Sequence, residues 1–149
     1  MKKNNYLLLC LLLCVLLQSC YGYVTSVDYT AIKNEKCNEK SKSIYLFFEG
    51  EELTFNYEKL GVLEVEGDQY ASNSEVLEEL KREAWGKCAN GLIKIKSGYK
   101  EREQGVAFVS ETEETYSSKF YTAIAVKISL NEDFIAKYGE GLPVTFKEK

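Results

Sequence analysis

Between Ser72 and Gly91 the chain carries a helix signature that limits its fold more than any other feature. Ser72-Asn73-Ser74-Glu75 has the capping-box form, in which the serine hydroxyl and the glutamate carboxylate each satisfy a free backbone amide at a helix start. From there Val76, Leu77, Leu80, Ala84 and Cys88 fall within about a 120° arc at ~100° per residue, while Glu78, Glu79, Lys81, Arg82 and Glu83 fill most of the remaining surface. Asn90-Gly91 supplies the left-handed residue that commonly ends a helix. One apolar stripe must be buried against another layer, so this helix predicts a sheet beneath it. Trp85, at the margin of the stripe, is expected half-exposed.

Strand patterns on both sides supply that sheet. Ile44-Tyr45-Leu46-Phe47-Phe48 is apolar on both faces and reads as an interior strand, stopped by Glu49-Gly50-Glu51-Glu52. Leu60-Gly61-Val62-Leu63-Glu64-Val65 is a second strand. Leu92-Ile93-Lys94-Ile95-Lys96 alternates as a third, Gly105 to Val109 is a fourth, and Tyr121 to Ile128 is a long fifth with Ile124, Val126 and Ile128 on one face. Asn131 then caps a short helix through Tyr138, ended by Gly139, and the tail after Pro143 reads as an edge piece or a loose end. The predicted fold is α+β: a small, mostly antiparallel sheet with one main amphipathic helix on one face, in the order β-β-α-β-β-β plus a short C-terminal helix.

Ahead of the domain, Lys2 and Lys3, a leucine-rich core from Tyr6 to Leu17, and Gln18-Ser19 before Cys20 give the three parts of a secretory signal peptide. Twelve helical residues from Tyr6 to Leu17 would be about 18 Å long, short of a hydrocarbon core of about 30 Å. Leu17-Gln18-Ser19-Cys20 resembles the lipobox of bacterial lipoproteins, and that resemblance implies a lipid on Cys20 as the first mature residue. An ordinary cut near Ser19, leaving Cys20 a plain thiol, and a retained anchor are the competing readings. The expected division is a lipoprotein signal peptide at 1–19, a lipidated N-terminus and polar tether at 20–43, and a single domain at 44–149.

Two of the 19 basic residues leave with the leader, so 17 face 23 acidic residues and the mature net charge is −6. That balance argues against nucleic acid as a partner and against adhesion to anionic headgroups through charge, so membrane contact is assigned to the lipid. Of five cysteines, Cys10 and Cys14 lie in the leader and Cys20 is assigned to lipid. Cys37 and Cys88 remain, either as a disulfide suited to an oxidising compartment or as two separate thiols.

Tyr57 to Gly67, followed by Leu77 to Ile93, resembles a recurring bacterial pattern of a YxxLG strand leading to a helix and a second strand. It is similar to small envelope domains related to the outer-membrane stress-sensor lipoprotein of the Rcs phosphorelay and to the YbjQ-like domains, over Ile44 to Ile128. The resemblance implies a sheet with one main helix, an envelope location, and sensing or protein contact without catalysis. The stress sensor carries two bridges within its folded domain, whereas here only Cys37 and Cys88 follow Cys20, so no signalling mechanism or functional residue is transferred.

The chain has no histidine, which removes the commonest general base and metal ligand. No G-x-G-x-x-G, P-loop or EF-hand spacing occurs, and no cofactor or metal is expected. Glu49-Gly50-Glu51-Glu52 and Glu111-Thr112-Glu113-Glu114 read as solvated loop charges, with calcium or acid/base work as the functional alternative. Phe47, Phe48, Phe55, Tyr57, Tyr116, Phe120 and Tyr121 read as sheet and core packing, with a partner surface as the alternative. The expected function is a non-enzymatic, lipid-anchored envelope module for protein interaction, sensing or assembly. Tyr21 follows Cys20 where some bacterial lipoproteins carry an inner-membrane retention aspartate, so the resemblance implies the outer membrane, and the lack of an acidic run directly after Cys20 favours the periplasmic side. The alternative is a lipoprotein that binds a small ligand or cell-wall fragment.

Overall fold

The computed structural model describes residues 24–33, 37, 39–104 and 114–146. In chain order these form β1 (Val24–Ala31), β2 (Ser43–Phe48), β3 (Tyr57–Gly67), α1 (Asn73–Gly86), β4 (Gly91–Gln104), β5 (Glu114–Ile128), α2 (Glu132–Tyr138) and β6 (Leu142–Pro143). The strands make one sheet in the order β1-β3-β5-β4-β2-β6. Its pairings are antiparallel except β2 with β4. The architecture is α+β, with α1 packed on one face of the sheet, and it departs from the expected element order at two places.

First, the segment 20–43, expected as a tether ahead of a domain starting at Ile44, contributes β1, which pairs with β3 from Val24 opposite Gly67 to Ala31 opposite Gly61. Poverty in large aliphatic side chains misleads here, because an edge strand needs one half-apolar face and a neighbour's backbone hydrogen bonds. Tyr29 supplies that face: it packs on the helix-side core, and its hydroxyl donates to the Leu60 carbonyl at 3.1 Å. Its ring lies where a Cβ on Gly61 would be, so glycine at 61 lets the two strands keep their register. Second, β4 runs on past the expected Lys96 to Gln104 and β5 starts at Glu114, ahead of the expected Tyr121, so the two make a long hairpin arm. The fourth strand expected at Gly105 to Val109 lies outside the described residues.

Between α1 and the sheet lies one core, in which Val76, Leu80 and Ala84 of α1 meet Leu63 and Val65 of β3 and Leu92 and Ile95 of β4. The capping box forms as expected: Glu75 N donates to Ser72 Oγ at 3.3 Å and Ser72 N donates to Glu75 Oε2 at 2.7 Å. The helix ends earlier than the apolar stripe suggests, at Gly86, and its left-handed residue is Cys88 (φ 62°), not Asn90 or Gly91. Cys88 N donates to Trp85 O and Ala89 N to Ala84 O, both at 3.0 Å, which is the Schellman pattern with cysteine where glycine is usual. Asn90 instead clamps the end of β5, its side chain bonding both ways to the Ile128 backbone.

A second core occupies the opposite face at one end of the sheet, where Phe134 of α2 meets Tyr45, Phe47, Ile93, Val126 and Ile128. Asn131 caps α2 by accepting from Phe134 N at 2.8 Å, and Gly139 (φ 73°) ends it.

Candidate functional site

Residues 1–19, expected as a leader, and Cys20, expected to carry lipid, lie outside the described residues. Cys37 and Cys88 are joined as a disulfide, with Cα atoms 5.5 Å apart across 51 residues of sequence. The bond ties the connection from β1, at one sheet edge, toward β2, near the other, to the C-terminus of α1. Trp85 adds a second fastening. Its ring nitrogen donates to Ser41 O at 2.9 Å, Lys40 Nζ sits 4.2 Å from the ring centroid, and Phe146 packs at 6.1 Å between centroids. A left-handed cysteine costs roughly 1 kcal/mol relative to glycine, and a bridge closing a loop of this length contributes about 4 kcal/mol in the chain-entropy model. Covalent anchoring outweighs the backbone cost, and a glycine could not provide it.

On the face away from α1, the base of the hairpin arm carries a charge network. Glu66, at the end of β3 and only 2% exposed, accepts from Arg102 Nε at 2.8 Å, from Arg102 Nη2 at 2.5 Å and from Ser118 Oγ at 2.6 Å. Lys100 Nζ stands 3.7 Å from the same carboxylate and pairs with Glu64. The guanidinium hydrogen bonds, helped by Ser118 and the two cations, overcome desolvation and lower the Glu66 pKa from 4.5 to about 2. Glu64, through its hydrogen bond, and Glu66 raise the Lys100 pKa above its ordinary value, and Glu66 does the same for Arg102. Phe120 lies directly over Gly98, where a Cβ would meet the ring at 2.7 Å, and Lys100 caps the ring at 5.1 Å. Chemically this cluster locks β3 to β4 across β5. A carboxyl held near pKa 2 moves no proton at neutral pH.

The aromatic residues divide between packing roles. Phe47, Phe55 and Tyr57 join Phe134 and Tyr138 in edge-on and tilted contacts beneath α2, and Tyr121 is buried on the α1 side. Phe48 remains 45% exposed. In the first acidic run Glu49 pairs with Lys96 at 2.5 Å, while Glu51 accepts from the Phe48 amide at 2.7 Å, so these carboxylates serve a turn. Glu111 and Glu113 lie outside the described residues. Among the described residues no three histidine, cysteine or acidic side chains gather as a metal site, and no buried side-chain nitrogen or oxygen lacks a hydrogen-bond partner.

Among the described residues lie two shallow hollows of about 220 Å³ each. One lies between α2 and the Thr54–Asn56 stretch, where the Thr54 hydroxyl lowers the Tyr138 phenol pKa. The other lies between Tyr29, Lys33, Cys37 and Lys87.

Sequence reasoning missed the Glu66 network, although its signal was present: Glu64 and Glu66, and Lys100 and Arg102, each two apart, fall on one strand face. Their pairing needed the strand order, which puts β5 between them. Against known proteins, no family model, curated protein or solved structure matches this chain.

Proposed function

We propose that this chain is a lipid-anchored protein of the cell envelope, attached through Cys20 to the outer membrane with its domain in the periplasm, and that the domain works by protein contact, in sensing or assembly, without catalysis. The observation that carries the reading is Leu17-Gln18-Ser19-Cys20 directly behind a basic and then leucine-rich leader. Two features support the non-enzymatic part. The chain has no histidine, and Glu64 and Glu66, which face the open side of the sheet, are neutralised by Lys100 and Arg102.

Growing cells with a clickable palmitate tests the anchor. Label is expected on the wild-type chain and absent from Cys20→Ala, and an unlabelled wild-type chain overturns the reading. Crosslinking in living cells tests the partner. A recurrent envelope protein is expected, and turnover of glycan or peptidoglycan by the purified chain would reject the non-enzymatic assignment.

A further inference from the structure

The finding that β1 begins at Val24 changes what a lipid on Cys20 would do. A tether running to residue 43 would hold the domain clear of the bilayer. Four residues from Cys20 to Val24 reach at most about 14 Å even when fully extended. Resting on the lipid-anchor reading above, we propose that the domain lies against the phospholipid bilayer through a patch formed by Tyr70, Lys119 and Tyr99.

The register places this patch beside the leash. Val24 pairs with Gly67, Glu66 with Phe120, and Lys119 with Tyr99, so Val24, Gly67, Lys119 and Tyr99 lie within one residue of a single row across β1, β3, β5 and β4. At about 4.8 Å between strands, the row spans only ~14 Å. Lys119 Nζ donates to Ala71 O at 3.1 Å, which joins the row to the turn carrying Tyr70. Tyr70 is 70% exposed and Tyr99 65%, far more than packing requires.

The hairpin arm sets the orientation. It runs five residues past this row, from Tyr99 to Gln104, or about 17 Å, which exceeds the leash. The arm carries Lys100, Glu101 and Arg102, which do not enter hydrocarbon. An end-on approach would force them in, so the domain tilts and lays one face of the arm along the surface. One face is occupied by the Glu64, Glu66, Lys100 and Arg102 network. The other bears Tyr99 and Lys119, with Glu101 two residues beyond Tyr99 on the same face, and tyrosines flanking a lysine suit the headgroup region, where the rings meet the acyl boundary while hydroxyl, ammonium and carboxylate stay wet.

Tryptophan emission tests this contact. Full-length lipidated protein is placed in vesicles of phosphatidylethanolamine and phosphatidylglycerol doped with a phosphatidylcholine brominated near its headgroup, and intact mass records lipid on Cys20. Wild type carries one tryptophan, Trp85, at the far end of α1 from the patch. Tyr70→Trp and Tyr99→Trp each add an emitter at the patch, and Ile135→Trp adds one on α2, beyond the opposite end of β5. The bromolipid is expected to remove the added emission of the first two variants while leaving wild type and Ile135→Trp unchanged. With lipid present on Cys20, an unquenched Tyr70→Trp or Tyr99→Trp, or equal quenching of wild type or Ile135→Trp, overturns the contact alone. Absence of lipid from Cys20 overturns the anchor and the contact together.

Discussion

Single residues hold this domain at two places where ordinary preferences are set aside. Glu66 is a buried carboxylate kept ionised by Arg102, Ser118 and Lys100. Its pKa is depressed in the folded state, so its contribution is fully present above the unfolded value near 4.5 and is lost as pH falls toward about 2. Wild type should therefore lose stability between these pH values more steeply than Glu66→Gln, while at pH 7 the variant should be the weaker by about 1–3 kcal/mol. Urea melts across this pH range check both signs. Cys88 is the second place. Cys88→Ala loses the bridge and keeps the left-handed strain, whereas Cys88→Gly loses the bridge and relieves the strain. The glycine variant should be about 1 kcal/mol more stable than the alanine variant, and parallel thermal melts would show the order.

Elements owe their positions to signals of unequal range. The capping box and stripe of α1 are local, and both were legible from Ser72-Asn73-Ser74-Glu75 and the spacing of Val76, Leu80 and Ala84. Leu80, fully buried on this stripe, should cost about 2–5 kcal/mol as Leu80→Ala, and Ser72→Ala about 1 kcal/mol, both read as shifts in urea midpoint. The end of α1 was less legible, because a left-handed cysteine carries no sequence sign and was held there by a partner 51 residues away. β1 was invisible for a related reason. Its stabilisation comes from hydrogen bonds to β3 and from one tyrosine over Gly61, neither of which composition records.

For the molecule as a whole, the folded unit starts before Ile44. A chain beginning at Ile44 would lack β1 and Cys37, leaving the β3 edge bare and the disulfide unmade. Loss of the bridge alone, at about 4 kcal/mol, is a large part of the 5–15 kcal/mol typical of a domain. Such a truncation should be largely unfolded at 25 °C, while one beginning at Val24 should melt cooperatively; circular dichroism of the two would decide. The same extension of the domain shortens any leash from Cys20.

The sequence by itself determined the α+β class, the capped helix and the main strands of the sheet, because each is written in residues close together along the chain. Only the tertiary structure decided which strands are neighbours, and with that the buried pairing of Glu66 with Arg102, the place of Cys88 beside Cys37, and the enlistment of residues 24–31 as an edge strand. Those features depend on contacts between distant segments, whose energies exist only once the sheet has brought the segments together.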